Sequence, residues 1–200
     1  MRRRWVVHYG YSIYLLRGTR FETRDLAVCG LIAALTVILE VFRLPLPTGA
    51  TVPLLSPVPI LLMSLLYDRR KAIMTGFVVG LLVILFVPGW APVHWAQLFV
   101  EHLVCFSCYG YASSFGTENR LQVTCGLILT YILSIYGHTM SGVIFFSQNA
   151  WSGWGAWGYS IVYNFTEYIP LFIICTVVVL LMPLKQLRKA VRNENYTTAV

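Results

Sequence analysis

Long apolar stretches, almost free of charge, constrain this sequence more than any other feature. Five are long enough to cross a bilayer as helices, which takes roughly 17–25 residues; they lie at about 26–43, 71–87, 95–115, 121–147 and 156–183. A sixth stretch, 57–67, is shorter and is best interpreted as a short span surrounded by the other helices. Only 12% of the residues are charged, whereas soluble domains carry about 25%. We therefore predict an all-α integral membrane protein with six transmembrane helices, of which the second is short.

Lysine and arginine predict how these helices are oriented. They occur before the first span, after the sixth, and in the connections between spans two and three and spans four and five. The other connections, about 44–56, 88–94 and 148–155, contain neither residue. Because both favour the cytoplasmic side, we predict a multi-pass membrane protein with both termini in the cytoplasm. The net charge of +7 then reflects topology, and no nucleic-acid partner is expected.

The same pattern divides the chain into three parts. Residues 1–25 form a cytoplasmic or interfacial segment that lacks the cleavage site of a signal peptide. Residues 26–184 form the six-helix transmembrane domain, and residues 185–200 form a basic cytoplasmic tail. Arg43 lies near an outer helix end, where we expect it to pair with Glu40 three residues earlier.

Several chemistries are not encoded in the sequence. It contains no G-x-x-x-x-G-K-[ST] phosphate loop, so the chain cannot hydrolyse ATP by that route. The motifs H-E-x-x-H and G-x-S-x-G do not occur either. Cys105 and Cys108 form a C-x-x-C without two further ligands, so we predict buried thiols and no metal site. An enzyme is disfavoured and no cofactor is expected, so that work against a gradient would need energy from a partner or an ion.

Polar side chains within the spans indicate where function lies, because ionisable groups are costly in a bilayer. The ionisable candidates are Glu40, Glu101, His138 and Glu167. At 1.5 Å of rise per residue, His138 lies about 27 Å above Arg120, and Asn164 lies about 31 Å above the cytoplasmic end of its span. Glu101 and Tyr159 also fall in the outer half. We therefore predict one polar pocket that opens outward.

Each of these residues also has a structural interpretation. Glu101 could be a structural partner of His138, His138 could hydrogen-bond a helix carbonyl, and Asn164 could join two helices. Tyr159 and the nearby Trp151 could belong to the aromatic belt at the membrane interface. A different functional class is an autonomous carrier, in which Glu101 and His138 relay protons.

The pocket chemistry favours a flat, cationic, hydrogen-bonding nutrient. An ionised carboxylate attracts a cation or a heterocycle rich in donors, and asparagine and tyrosine can bind the edge of a planar ring. Aromatic faces add stacking and cation–π attraction.

Two small-x-x-x-small faces predict close helix packing. They are Gly30-x-x-x-Ala34 and Gly76-x-x-x-Gly80. Either face could pack inside the bundle or dock a separate membrane partner.

One long motif resembles a known family. The run GVIFFSQNAWSGWGAWGYSIVYN, preceded by His138 and ending at Asn164, resembles the region between the fifth and sixth helices of the thiamine-specific S-component, the substrate-binding membrane subunit, of energy-coupling factor (ECF) vitamin transporters. The segment QLFVEHLV, which begins at Gln97, resembles a second family motif, Q-x-x-x-E-Y-L-V. A weaker third match begins at Pro59, and the resemblance covers roughly 25–185.

The resemblance implies a protein of the bacterial plasma membrane with a thiamine site near the outer face and a set of partners. Glu101, Tyr159 and Asn164 would hydrogen-bond the aminopyrimidine ring, His138 would lie by the thiazolium, Gly142 would line the pocket and Phe146 would stack on the pyrimidine. We add His102, Trp151 and Glu167 as candidate substrate-binding residues. The Gly30-x-x-x-Ala34 face would dock a membrane coupling subunit, which works with two ATPase subunits.

The chain also departs from the family pattern at the thiazolium end. Ala50 and Leu54 align with a family tryptophan and glutamate, and Phe146 replaces a tryptophan. Glu40 or Glu167 is our candidate for the lost carboxylate, and the alternative ligand is a precursor such as hydroxymethylpyrimidine. Because Tyr159 and Asn164 are about 140° apart on a helix, we expect Tyr159 at a frayed helix start.

Overall fold

The computed structural model describes residues 21–89 and 92–197, so most of the predicted segment 1–25 lies outside the described residues. The helices are α1 (Thr23–Val41), α2 (Val58–Leu66), α3 (Arg69–Phe86), α4 (95–113), α5 (Arg120–Phe145), α6 (Ala156–Leu181) and α7 (Leu184–Thr197). α4 changes type along its length: it is α over Trp95–Gln97, π over Leu98–Val104, α over Cys105–Cys108 and 3-10 over Tyr109–Ser113.

The helices α1 to α6 coincide with the six predicted apolar stretches, and α2 is the short one. The prediction of a mainly helical fold is confirmed. Both α5 and α6 are long and apolar enough to cross a membrane. The count of six spans and the cytoplasmic position of both termini stay predictions.

The expectation of an entirely α fold is wrong at the connection between α1 and α2. Strands β1 (Arg43–Pro45) and β2 (Thr51–Pro53) form an antiparallel hairpin. Gly49 in its turn has φ 86°, a left-handed conformation that costs glycine little. The hairpin lies against α6, where the Thr48 and Thr166 hydroxyl oxygens are 3.3 Å apart. It therefore covers the same end of the bundle as the start of α6.

The two small-residue faces differ in what they contact. A Cβ atom on Gly80 would lie 2.6 Å from the His102 carbonyl oxygen, and one on Gly76 would lie 2.7 Å from the Phe106 carbonyl carbon. This pair therefore lets α3 pack directly against α4. In contrast, no described atom lies within 4 Å of a Cβ position on Gly30, which is exposed.

Polar contacts join the helix ends far from the hairpin. Asp25, in the first turn of α1, accepts a hydrogen bond from the Tyr67 hydroxyl and pairs with Lys71 Nζ at 2.5 Å. Arg188 of α7 pairs with Glu118 at 3.3 Å. The segment predicted only as a basic tail thus begins as a helix that contacts the bundle.

Candidate ligand pocket

A cavity of about 230 Å³ lies between α4, α5 and α6, at the hairpin end of the bundle. Its walls are formed by Glu101, His138, Gly142, Phe146, Asn149, Tyr159, Ser160, Tyr163 and Asn164. Six of the nine residues predicted to bind substrate are therefore brought together. Within 21–89 and 92–197, no three His, Cys, Asp or Glu side chains gather as a metal site.

Glu101 is held by two donors that use the same carboxylate oxygen. Its Oε2 accepts a hydrogen bond from Gln97 Nε2 at 2.8 Å and another from the Ser141 hydroxyl. Gln97 and Ser141 are both buried, and Gln97 Oε1 is fixed in turn by the Val93 amide at 2.8 Å. Hydrogen bonds to a carboxylate are stronger than neutral ones. Oε1 of Glu101 is thereby left as the acceptor for a ligand donor.

Glu101 lies in the π-helical part of α4. π turns are rare in helices and occur frequently at functional sites. In the same segment, the Cys105 thiol donates to the Val100 carbonyl five residues earlier, at a sulfur–oxygen distance of 3.1 Å. The wider turn therefore changes which side chains of α4 face α5.

His138 is oriented by its own helix and by α6. Nδ1 lies 3.0 Å from the Ser134 carbonyl oxygen, which can only accept, so Nδ1 carries the hydrogen. The Tyr168 hydroxyl lies 2.8 Å from Nδ1 and 3.0 Å from Nε2, so it contacts the imidazole between its two nitrogens. The expected bond to a helix carbonyl is thus present. The Ser134 carbonyl and the Tyr168 hydroxyl therefore fix the orientation of the imidazole, which lines the cavity.

Asn164 is oriented in the same way by its neighbours on α6. Its Nδ2 donates to the Ser160 carbonyl at 2.8 Å, and the Ser160 hydroxyl donates to the Thr139 carbonyl at 2.7 Å. This arrangement leaves Asn164 Oδ1 for the ligand. A Cβ atom on Gly142 would overlap the Ser160 hydroxyl, so glycine is needed where α5 and α6 approach.

Tyr159 lies in a regular first turn of α6, and its amide donates to the Gly155 carbonyl at 3.0 Å. The expectation of a frayed helix start is therefore wrong. Trp151 packs edge-on against the Tyr159 ring, with 5.0 Å between ring centroids. Trp151 does not line the cavity and instead supports one of its walls.

The remaining predicted residues do not line this cavity. His102 is buried, with its carbonyl beside Gly80 of α3. Glu167 lines a second, much smaller cavity, as Glu40 does. Neither Ala50 nor Leu54 lines the larger cavity.

Sequence reasoning missed several residues that shape the pocket. Gln97 and Ser160 lie four residues before Glu101 and Asn164, a spacing that places them on one helix face, so that pattern could have found them. Ser141 reaches Glu101 across two helices. No local pattern predicts such a contact.

The exterior and the pocket together define a class of protein. Large apolar side chains are exposed along the helices, including Leu31, Phe77, Ile132, Ile173 and Leu181. Such a surface suits lipid rather than water, and the polar groups gather instead in the pocket. These features define a helical membrane protein that binds a small polar ligand.

Similarity to known proteins identifies the family within this class to which the chain belongs. A family model described as "Thiamine transporter protein (Thia_YuaJ)" matches residues 26–191. The thiamine transporter ThiT of Bacillus subtilis (strain 168) is 29% identical over 167 residues, which cover 76% of this chain and 86% of that protein. A solved structure of ThiT from Listeria monocytogenes matches with a TM-score of 0.72 and 22% identity, over 82% of this chain and 94% of that chain.

The chain therefore belongs to the thiamine transporter protein family. The resemblance inferred from its motifs is confirmed, and the protein is a membrane transport protein rather than an enzyme.

Proposed function

We infer that this protein is the thiamine-binding S-component of an ECF-type uptake transporter in the cell membrane. The observation that carries this proposal is the set of acceptors and rings around the larger cavity. The other polar atom of each side chain, Glu101 Oε2 and Asn164 Nδ2, is already hydrogen-bonded to protein. This leaves Glu101 Oε1 and Asn164 Oδ1 for the ligand, and Phe146 and Tyr159 add aromatic rings to the cavity wall. This set suits the amino group and the flat face of an aminopyrimidine.

The cavity's charge also suits thiamine. Glu101 is an acidic group on the cavity wall, and the rings of Phe146 and Tyr159 line the same cavity. A carboxylate and aromatic faces attract a cationic ring. Thiamine carries its positive charge on the thiazolium, next to the aminopyrimidine.

The coupling partners are part of the proposal. The chain has no phosphate loop, so an ATP-driven cycle needs separate ATPase subunits and a membrane coupling subunit. Support for docking comes from an apolar groove of about 1040 Å³ between α1 and α3, lined in part by Gly30, Ala34 and Phe77. Small residues in such a groove allow close approach of another helix.

A titration of the purified protein with thiamine, its pyrimidine half and its thiazole half tests the ligand. The six tryptophans provide the fluorescence signal. We expect thiamine to bind most tightly and the pyrimidine half to bind better than the thiazole half. Failure of all three to bind would refute the proposal.

The pyrimidine precursor is the second candidate ligand, because Ala50 and Leu54 stand where the family has a tryptophan and a glutamate at the thiazolium end. It is favoured if the pyrimidine half binds as tightly as thiamine.

Reconstitution in vesicles without ATPases separates the S-component from a proton-coupled carrier. An S-component binds but transports poorly alone, whereas a carrier transports in response to a pH gradient.

A further inference from the structure

A second cavity, of about 20 Å³, lies directly behind the ligand cavity. Its lining includes Glu40, Arg43 and Glu167, and it shares His138 with the larger cavity. This volume is about that of one water molecule, so no ring of the ligand fits into it. The cavity matters instead for the charges that surround it.

Acidic groups outnumber cations around this cavity. Arg43 Nη2 pairs with Glu40 Oε1 at 2.6 Å, as the sequence predicted. Glu40 is only 2% exposed, and its Oε2 has no hydrogen-bond partner in the part of the chain that the structure describes. One guanidinium cannot neutralise two carboxylates. Because Glu40 holds the guanidinium at 2.6 Å, we assign the excess negative charge to Glu167.

The other titratable groups that face Glu167 add no second cation of fixed charge. α4 contributes Cys105 and Tyr109, and α6 itself contributes Tyr168. Across the larger cavity, α4 also contributes Glu101 and α6 contributes Tyr163. These side chains carry carboxyl, thiol or phenol groups, none of which can become a cation, and the His138 ring is held by the Ser134 carbonyl and the Tyr168 hydroxyl.

An uncompensated carboxylate on Glu167 beside the smaller cavity is unfavourable, because too little water reaches it to solvate the charge. The surplus can be removed by a proton on Glu167 or by a cation close by. The larger cavity provides the second possibility, since His138 lines both cavities and a ligand in the larger one would lie next to the smaller. Coulomb attraction is strong over such distances where water is excluded.

We propose that Glu167 is the counter-charge for a cationic ligand, and that it carries a proton in the free protein and releases it when the ligand binds. The inference rests on the proposed thiamine-binding function. Charge and protons balance in this step. When the cation binds, the protonated Glu167 carboxyl group becomes a carboxylate beside it, and the one proton lost goes to solvent. Glu167 thereby selects for charge, while Glu101 and Asn164 select for the pyrimidine.

Because proton release is linked to ligand binding, the proposal fixes the direction in which thiamine affinity changes with pH. Because the bound state holds one proton fewer, the affinity for thiamine rises with pH by about a factor of ten per pH unit while Glu167 is protonated in the free protein. An uncharged analogue, with the thiazolium replaced by a neutral ring of the same size, gains nothing from the carboxylate. Its affinity does not change with pH through this group.

Isothermal titration calorimetry of the full-length protein tests the proposal. Binding is measured at one pH near neutrality in two buffers with different ionisation enthalpies, and the difference gives the number of protons released. We expect up to about one proton per thiamine and none for the uncharged analogue. Glu167→Gln is expected to abolish proton release and to weaken the binding of thiamine but not that of the analogue. The matched control is Glu118→Gln, which alters an exposed acid at the far end of the bundle and is expected to change neither proton release nor affinity.

The outcomes separate this inference from the function on which it rests. Thiamine binding without proton release, equal release with the uncharged analogue, or release that persists in Glu167→Gln each overturn the inference and leave thiamine binding standing. Absence of thiamine binding overturns both. The comparison of the two ligands on the unmodified protein decides the question even if Glu167→Gln does not fold.

Discussion

At the scale of single residues, the pocket depends on hydrogen bonds that orient the groups facing the ligand. Gln97 and Ser141 occupy one oxygen of Glu101, and Ser160 occupies the amide nitrogen of Asn164. Each contact leaves one acceptor atom for the ligand. Preorganisation of this kind raises affinity because the side chains lose less freedom on binding.

The role of Ser141 can be tested with a small change. Ser141→Ala removes one of the two donors to Glu101 Oε2, and a lost bond to a charged group costs about 1.5–3 kcal/mol. We expect thiamine affinity to fall about 10- to 100-fold, as measured by fluorescence titration. Ser107→Ala is the matched control, because among residues 21–89 and 92–197 the Ser107 hydroxyl donates to the Leu103 carbonyl of its own helix and to no other group. Equal affinity of both variants would contradict this role.

Some residues of the pocket could be predicted from sequence motifs, and others could not. Glu101, Tyr159 and Asn164 stand in motifs, and they line the cavity. Their roles in binding stay predictions. Ser141 and Tyr168 act on residues of other helices, so only the packed structure brings them to the site.

At the scale of the elements, helix positions were predictable and their irregularities were not. A helix in lipid must be apolar over most of its length, so α1 to α6 are visible in the sequence. The hairpin was missed because its strands are three residues long and contain prolines, which give little strand signal. The π turns of α4 were missed because α and π turns have the same composition.

The approach of α5 to α6 gives a prediction at this scale. Gly142→Ala places a methyl group against the Ser160 hydroxyl, so the two helices must separate or Asn164 must turn. We expect thiamine affinity to fall more than about 10-fold, with a loss of stability of about 1–3 kcal/mol from overpacking. Thermal unfolding and titration measure the two effects.

A control and a rescue sharpen this test. Gly155→Ala is the control, because no described atom lies within 4 Å of its Cβ position. Ser160→Ala in the Gly142→Ala background removes the overlapping oxygen and is expected to restore part of the stability. If Gly142→Ala binds thiamine normally, the close contact does not shape the pocket.

At the scale of the whole molecule, the exposed face of α1 is separate from the ligand pocket. Gly30 and Ala34 lie on the outside of the bundle in the apolar groove beside α3, whereas the ligand cavity lies between α4, α5 and α6. The proposed ligand site and the proposed docking site therefore lie on different surfaces, and each can be altered without the other.

Ala34→Trp tests this separation. The large ring fills the groove, so we expect uptake of thiamine by cells that contain the coupling module to fall to a small fraction of its normal rate. Thiamine affinity of the purified protein is expected to stay within about twofold, because Ala34 is remote from the cavity. Leu31→Trp, at an exposed position of the same helix that does not line the groove, is the control. Normal uptake by Ala34→Trp would argue against docking at this groove.

The central claim is that thiamine binds in the cavity beside Glu101. The most direct measurement is the affinity of the purified protein for thiamine before and after Glu101→Gln, with Glu118→Gln as a control of equal charge change. Loss of the charged acceptor is expected to weaken binding about 10- to 100-fold, while the control binds as before. If Glu101→Gln binds thiamine as tightly as the unmodified protein, thiamine does not bind at this site.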